Sequence, residues 1–133
     1  SMSNAKKVIH TEKAPQPIGA YSQAIEFSQS EKVIYLSGQI PLSPETGQLI
    51  GEDFITQAKQ VFSNINAVLC AAGSNFADLV KLNVYLIDIN HTTILNQIMQ
   101  EIFHDAFPAR STVQVCKLPV NALIEIEAVA LIH

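Results

Sequence analysis

The C-terminal run Ile124-Glu125-Ile126-Glu127-Ala128-Val129-Ala130-Leu131 restricts the architectures open to this chain more than any other stretch. It begins as a strict apolar–polar alternation, the pattern of a strand with one buried face. From Ala128 onward the polar partners vanish: Ile126, Ala128, Ala130 and Ile132 share one face, and Val129 and Leu131 share the other. A strand that is apolar on both sides needs cover on both sides. A second strand-like run precedes it, leading out of Phe107-Pro108-Ala109 through Arg110 to Val115, and a turn containing Pro119 separates the two. Between Lys81 and the C-terminus the only Lys or Arg residues are Arg110 and Lys117. An arginine at the mouth of an apolar strand must find an anion or carry its head to water. Glu125, between two isoleucines, reads on strand physics as an ordinary solvent-facing residue.

The earlier elements follow from periodicity and punctuation. Lys7–His10 predicts a short strand, and Pro15 and Pro17 impose an extended loop after it. Gln23–Ser28 and Lys32–Ser37 predict two strands joined by the polar turn 28–31, a hairpin signal without glycine. Asp53 is a candidate N-cap. Phe54, Ala58, Val61, Ile65, Val68 and Ala72 then recur in steps of four and three, one stripe of an α-helix that Gly73 ends. Val80–Ile87 predicts a strand and Asp88–His91 a cap-rich turn. Ile94, Leu95, Ile98, Met99, Ile102 and Phe103 make a second amphipathic helix, with Asn96 off its stripe and Pro108 barring continuation. The order β, β, β, α, β, α, β, β predicts an α+β single domain, a mixed β-sheet with two helices packed on one face. Two helices leave the other face bare, and contact with another subunit is the simplest cover. The domain is expected over 7–133, behind a flexible N-terminus, 1–6, in which Ser1 ahead of Met2 reads as an expression remnant.

Composition removes several function classes. Of 133 residues, 48% are hydrophobic and 15% charged, which suits one globular domain. The net charge of −4 argues against a nucleic-acid partner, and neither a polybasic membrane signal nor an apolar run of spanning length is present. Cys70 and Cys116 stand in no CxxC or zinc spacing and have apolar neighbours, so both are expected as buried free thiols, in keeping with the cytoplasm. His10, His91, His104 and His133 form no pair at helical spacing, so no metal is expected. No P-loop or dinucleotide fingerprint appears.

Six segments fit one known family in register. They are Ile18-Gly19-Ala20-Tyr21-Ser22-Gln23-Ala24, Leu36-Ser37-Gly38-Gln39-Ile40-Pro41, Ala71-Ala72-Gly73, Pro108-Ala109-Arg110-Ser111, Leu118-Pro119 and Ile124-Glu125-Ile126-Glu127-Ala128. Over essentially the whole chain the sequence resembles the reactive-intermediate deaminase family (RidA/YjgF). The resemblance implies a chorismate-mutase-like fold assembled as a homotrimer, with pockets between subunits. It implies cofactor-independent hydrolysis of 2-imino acids, the enamine/imine products of pyridoxal-phosphate-dependent dehydratases, to 2-keto acids and ammonia. Arg110 would hold the substrate carboxylate, and a guanidinium fork suits a carboxylate bidentately. Glu125 would deprotonate the attacking water. Tyr21 and the backbone near Ser37, Gly38 and Thr112 would shape the pocket, and the counterpart of Asn96 lies near the ligand. Two positions depart from the family: Ala20 replaces a usual proline, and Thr112 a common cysteine. The same Arg110 would also serve a non-catalytic trimeric carboxylate-binding or regulatory protein. RNA-cleaving translation inhibition, attributed to some relatives, is disfavoured by the acidic balance.

Overall fold

The computed structural model describes residues 6–104 and 106–133. Eight elements appear in the expected order: β1 (Lys6–Ile9), β2 (Ala24–Phe27), β3 (Lys32–Gln39), α1 (Phe54–Ala71), β4 (Leu79–Leu86), α2 (Thr92–Ile102), β5 (Ala109–Gln114) and β6 (Ile124–Ile132). The fold is a small α+β domain built on a mixed sheet and two helices. α1 starts where Asp53 accepts a hydrogen bond from the Thr56 N–H at 3.0 Å. The hydrogen bonds from Thr56 hold the Asp53 carboxyl below its ordinary range. It ends where Gly73 turns to φ 78° and the Ser74 N–H reaches back to Leu69 O at 2.8 Å.

The four-stranded sheet has the order β3-β6-β4-β5. β4 and β5 are parallel, and the other pairs are antiparallel. β6 therefore lies inside the sheet. Its Ile124, Ile126 and Ala128 join Leu82, Val84 and Leu86 of β4 in one core with Ile65 and Leu69 of α1 and Leu95 and Met99 of α2. Phe62, Phe76, Phe103 and Phe107 continue that core as an edge-to-face ladder, with ring centroids 5.9–6.4 Å apart. The ladder delivers the chain to Pro108 and β5.

Four details differ from the sequence reading. β2 pairs with β1, Lys6↔Phe27 to Ile9↔Ala24, in a separate two-stranded ribbon, not with β3. The turn 28–31 closes through Glu31 N–H to Ser28 O at 3.2 Å, but it lacks the glycine that the tight hairpin turns favour, and its two strands diverge. The first strand begins at Lys6, whose side chain is buried and donates to Leu79 O at 2.8 Å; the remainder of the expected N-terminal segment, 1–5, lies outside the described residues. α2 stops at Ile102, well before Pro108, because the backbone at Phe103 is already extended (ψ 121°). Cys70 and Cys116 are free but exposed, since Cys70 faces away from the α1 stripe and Cys116 sits in the turn after β5.

The second sheet face is uncovered in one chain. Tyr35 is 81% and Val113 46% exposed there. Leu131, however, is fully buried without a partner chain, so the bare area runs from Tyr35 toward Val113 and not to the end of β6. Its strands carry Asn83, Tyr85, Ser111, Glu125 and Glu127 on the same side. The Tyr85 hydroxyl donates to Glu127, which raises the phenol pKa.

His133 clasps the end of β6. Its Nε2 lies 2.7 Å from Asp78 Oδ1 and its Nδ1 3.2 Å from Glu31 Oε2. The Asp78 bond, helped by Glu31, raises the imidazole pKa above its ordinary value. The fold therefore gains from the imidazolium fully below about pH 6.5 and loses that gain as pH rises through the raised value. His133→Gln is expected to melt below wild type in mild acid and to converge on it in alkali. Thermal melts across pH check this; a gap that stays constant refutes it.

Candidate active site

Strand register puts Arg110 and Thr112 opposite Leu82 and Val84, on the helix-covered side of the sheet. The loop before β2 is fastened to the mouth of β5. The Ser22 N–H donates to Pro108 O at 3.1 Å, and the Ser22 hydroxyl to Phe107 O at 2.5 Å. That fastening brings Tyr21 under Arg110, whose guanidinium carbon lies 5.3 Å from the ring centroid. The Tyr21 hydroxyl accepts from the Ile18 N–H at 3.2 Å, which fixes the ring further. Arg110 Nη1 approaches Met99 Sδ at 3.1 Å. Among the described residues no carboxylate lies within ion-pair distance of Arg110. Burial lowers its pKa, and Tyr21 pulls the other way; a guanidinium nevertheless stays charged. A half-buried cation with neutral neighbours favours an anionic ligand.

Asn96 reaches the same place from α2. Its Oδ1 accepts from the Ala20 N–H at 3.2 Å. A side chain on Gly19 would begin 2.9 Å from Asn96 Nδ2 and 3.2 Å from Arg110 Nη2. A glycine lets this loop close over both groups without pushing their ends aside. Ile18, Gly19, Tyr21, Asn96, Arg110 and Thr112, together with Ile89 and Thr92, line a cavity of about 310 Å³. The Thr112 hydroxyl is closed off from solvent and has no hydrogen-bond partner.

Glu125 lies elsewhere. It pairs with Tyr85 on the uncovered face. The β3–β6 register slips between Leu36 and Gln39, so Ser37 and Gly38 form a bulge beside it. A Cβ on Gly38 would overlap the Glu125 carboxylate, with Cδ only 2.8 Å away.

The anticipated site residues thus fall into two groups. Tyr21, Asn96, Arg110 and Thr112 converge on the helix side, and Ser37, Gly38 and Glu125 on the open side, with the sheet between them. Asn96, off its helix stripe, is not merely solvated but hydrogen-bonded into the cavity wall. Gly19 and Met99 are additions. Gly19 sits inside a motif whose other members drew attention by their side chains, and Met99 reads from sequence only as core. A larger groove of about 540 Å³ beside Gly38 carries no titratable side chain and so offers no chemistry. Among the described residues, no group of three or more His, Cys, Asp or Glu could hold a metal ion. Chemically, one group can bind a carboxylate and the other can accept a proton from water.

The family model that matches is that of endoribonuclease L-PSP, over residues 11–132. The chain belongs to this family, the YjgF/RidA family. It is 48% identical to a RutC family protein of Pyrococcus abyssi over 126 residues, covering 95% of this chain and 97% of that one. It is 44% identical to the human 2-iminobutanoate/2-iminopropanoate deaminase over 126 residues, covering 95% and 90%. The crystal structure of E. coli TdcF with bound serine superposes with a TM-score of 0.72 at 36% identity, covering 96% of this chain and 99% of that chain. In this RidA-family chain, as in any protein, an oversized residue displaces whatever yields most readily. Gly38→Ala should therefore push aside the flexible end of Glu125 and leave the fold within about 1 kcal/mol of wild type. Turnover that uses Glu125 as a base should fall about a hundredfold. Thermal melts with steady-state rates test this; normal turnover would detach Gly38 from Glu125.

Proposed function

We propose that this protein is a cofactor-independent hydrolase that converts reactive 2-imino acids to 2-keto acids and ammonia, working as a homotrimer. The observation that carries the reading is Arg110: a half-buried guanidinium, without an acidic partner among the described residues, in the wall of a cavity sized for a small molecule. The deaminase name of the human relative supports the reaction, and the serine bound to TdcF is a small α-amino carboxylate of the same shape class. Arg110, with Asn96 Nδ2 beside it, holds the substrate carboxylate. The imine carbon is already electrophilic. Glu125 takes a proton from water as its oxygen bonds to the carbon of the protonated imine, giving a carbinolamine. The protonated Glu125 returns that proton to nitrogen; ammonia leaves as the carbinolamine hydroxyl gives its proton back to Glu125 and the carbon–oxygen double bond forms, and Glu125 releases the proton to water. Substrates of this kind come from pyridoxal-phosphate-dependent dehydratases acting on hydroxyamino acids.

Since the two groups lie on opposite faces of one sheet, one copy supplies Arg110, Tyr21, Asn96 and Thr112, and the uncovered face of the next supplies Ser37, Gly38 and Glu125. Tyr35 and Val113 lie within that contact. No helix among the described residues is long and apolar enough to cross a membrane; free thiols at Cys70 and Cys116 suit a reducing cytoplasm. RNA cleavage fits poorly with a net charge of −4.

Two variants test the reading together. Arg110→Lys keeps the charge but loses one of two parallel bonds, so affinity for a keto acid should fall about ten- to a hundredfold. Glu125→Gln should bind normally and turn over about a hundredfold more slowly. Each should be a folded trimer. Refolded together in equal amounts, they should regain roughly a quarter of wild-type activity, since some contacts unite two intact halves. Dehydratase-coupled keto-acid release measures this. No recovery on mixing would put the whole site in one chain, a stable monomer would remove the assembly, and unchanged turnover of Glu125→Gln would favour a non-catalytic carboxylate binder.

A further inference from the structure

We infer that Met99 is a positioning residue whose thioether sulfur fixes which end of the Arg110 guanidinium meets a ligand carboxylate, while leaving the charge free for that ligand. The inference rests on the carboxylate-binding role of Arg110 proposed above. Three observations carry it.

The first is the contact. Arg110 Nη1 donates to Met99 Sδ at 3.1 Å. That is closer than the roughly 3.5–4.0 Å at which non-bonded carbon atoms pack. Met99 is fully buried and does not line the cavity. Nη1 is therefore drawn toward the core, away from any ligand.

The second is that the sulfur anchors a group otherwise free to turn. Among the described residues, Met99 Sδ is the only hydrogen-bond acceptor that the Arg110 side chain meets, and no carboxylate lies within ion-pair distance. The Tyr21 ring lies under the guanidinium, with its centroid 5.3 Å from Cζ. Attraction to a ring face holds the cation over the ring but does not stop it turning in its own plane. Met99 stops that turn. With Nη1 held, Nη2 comes to the side of Gly19, where a Cβ would stand 3.2 Å from it and 2.9 Å from Asn96 Nδ2. Gly19 and Asn96 both line the cavity. Asn96 Oδ1 already accepts from the Ala20 N–H, so Nδ2 is a donor. A carboxylate arriving there meets two donors, one from β5 and one from α2.

The third is the chemistry of the anchor. A thioether is neutral, polarizable and a weak acceptor. A carboxylate at position 99 would grip the fork more firmly but would also neutralise it. The sulfur restrains the geometry and leaves the positive charge for the ligand.

The composition allows a test at the level of single atoms. Arg110 is the only arginine in the chain, and the only other methionine, Met2, lies outside the described residues. Nitrogen-isotope labelling of arginine therefore reports one guanidinium. Biosynthetic replacement of methionine by norleucine exchanges the sulfur at position 99 for a methylene. Wild type is expected to show separate Nη proton signals in cold solution. The norleucine protein and Met99→Leu, which conserves volume and so the fold, should show them averaged. Calorimetry should find 2-oxobutanoate bound about fivefold more weakly by both. In an Arg110→Lys background Met99→Leu should cost nothing further, because an ammonium has no end to select, whereas a merely structural loss would carry over. Averaged signals in wild type, separate signals that survive loss of the sulfur, and 2-oxobutanoate binding that is absent or indifferent to the sulfur each overturn the inference. So does the same loss repeated beside Arg110→Lys. Ammonia release from 2-iminobutanoate is scored separately. No release, with sulfur-dependent binding intact, would sink the deaminase reading and leave the role of Met99 standing.

Discussion

β6 is hydrogen-bonded along both edges, to β3 and to β4, and the rest of the molecule depends on that. An interior strand must be sealed on the helix side by apolar residues, which Ile124, Ile126 and Ala128 supply with both helices. Its alternate residues are thereby committed to the other face. Glu125 is one of these. Its side is dictated by the burial of its two isoleucine neighbours and by nothing in its own chemistry. The same logic sends Arg110 the opposite way: its partner in register is Leu82, a fully buried core residue. A charged side chain delivered to the helix side must end in a cavity or leave, and Gly19 and Tyr21 give it one.

Much of this was legible from residues alone because it is local. The capped helix from Asp53 to Gly73 follows from a stripe, an acceptor and a glycine, all within one segment. The alternation of β4 and β6 is local as well. What escaped was pairing. Which strand β2 chooses depends on residues about twenty positions away, and neither its composition nor its turn names β1. The exposure of Cys70 and Cys116 could not be read from apolar neighbours in sequence, since Cys70 lies off the buried stripe of α1 and Cys116 falls in the turn after β5.

The candidate site was half legible for the same reason. Arg110 and Glu125 were conspicuous as residue types. Their separation by the sheet was not, because it needs the registers of three strands at once. Asn96 lies off its stripe, and only the fold shows that this is the side on which Ala20 passes. Gly19 and Gly38 act through what they lack, since in each case a Cβ would crowd a side chain of the candidate site. An absent side chain leaves no periodic trace.

The opposed faces of Arg110 and Glu125 also bear on how much protein a cell must keep. In the trimer proposed above, the cavity beside Arg110 exists in each chain, but its pairing with Glu125 would exist only where two chains meet. The abundance of that pairing follows the association equilibrium, not the number of chains made. Near the midpoint of assembly, output would climb more steeply than expression and fall away sharply as growth dilutes the chains. Such a protein sets a floor of abundance beneath which making more of it yields almost nothing.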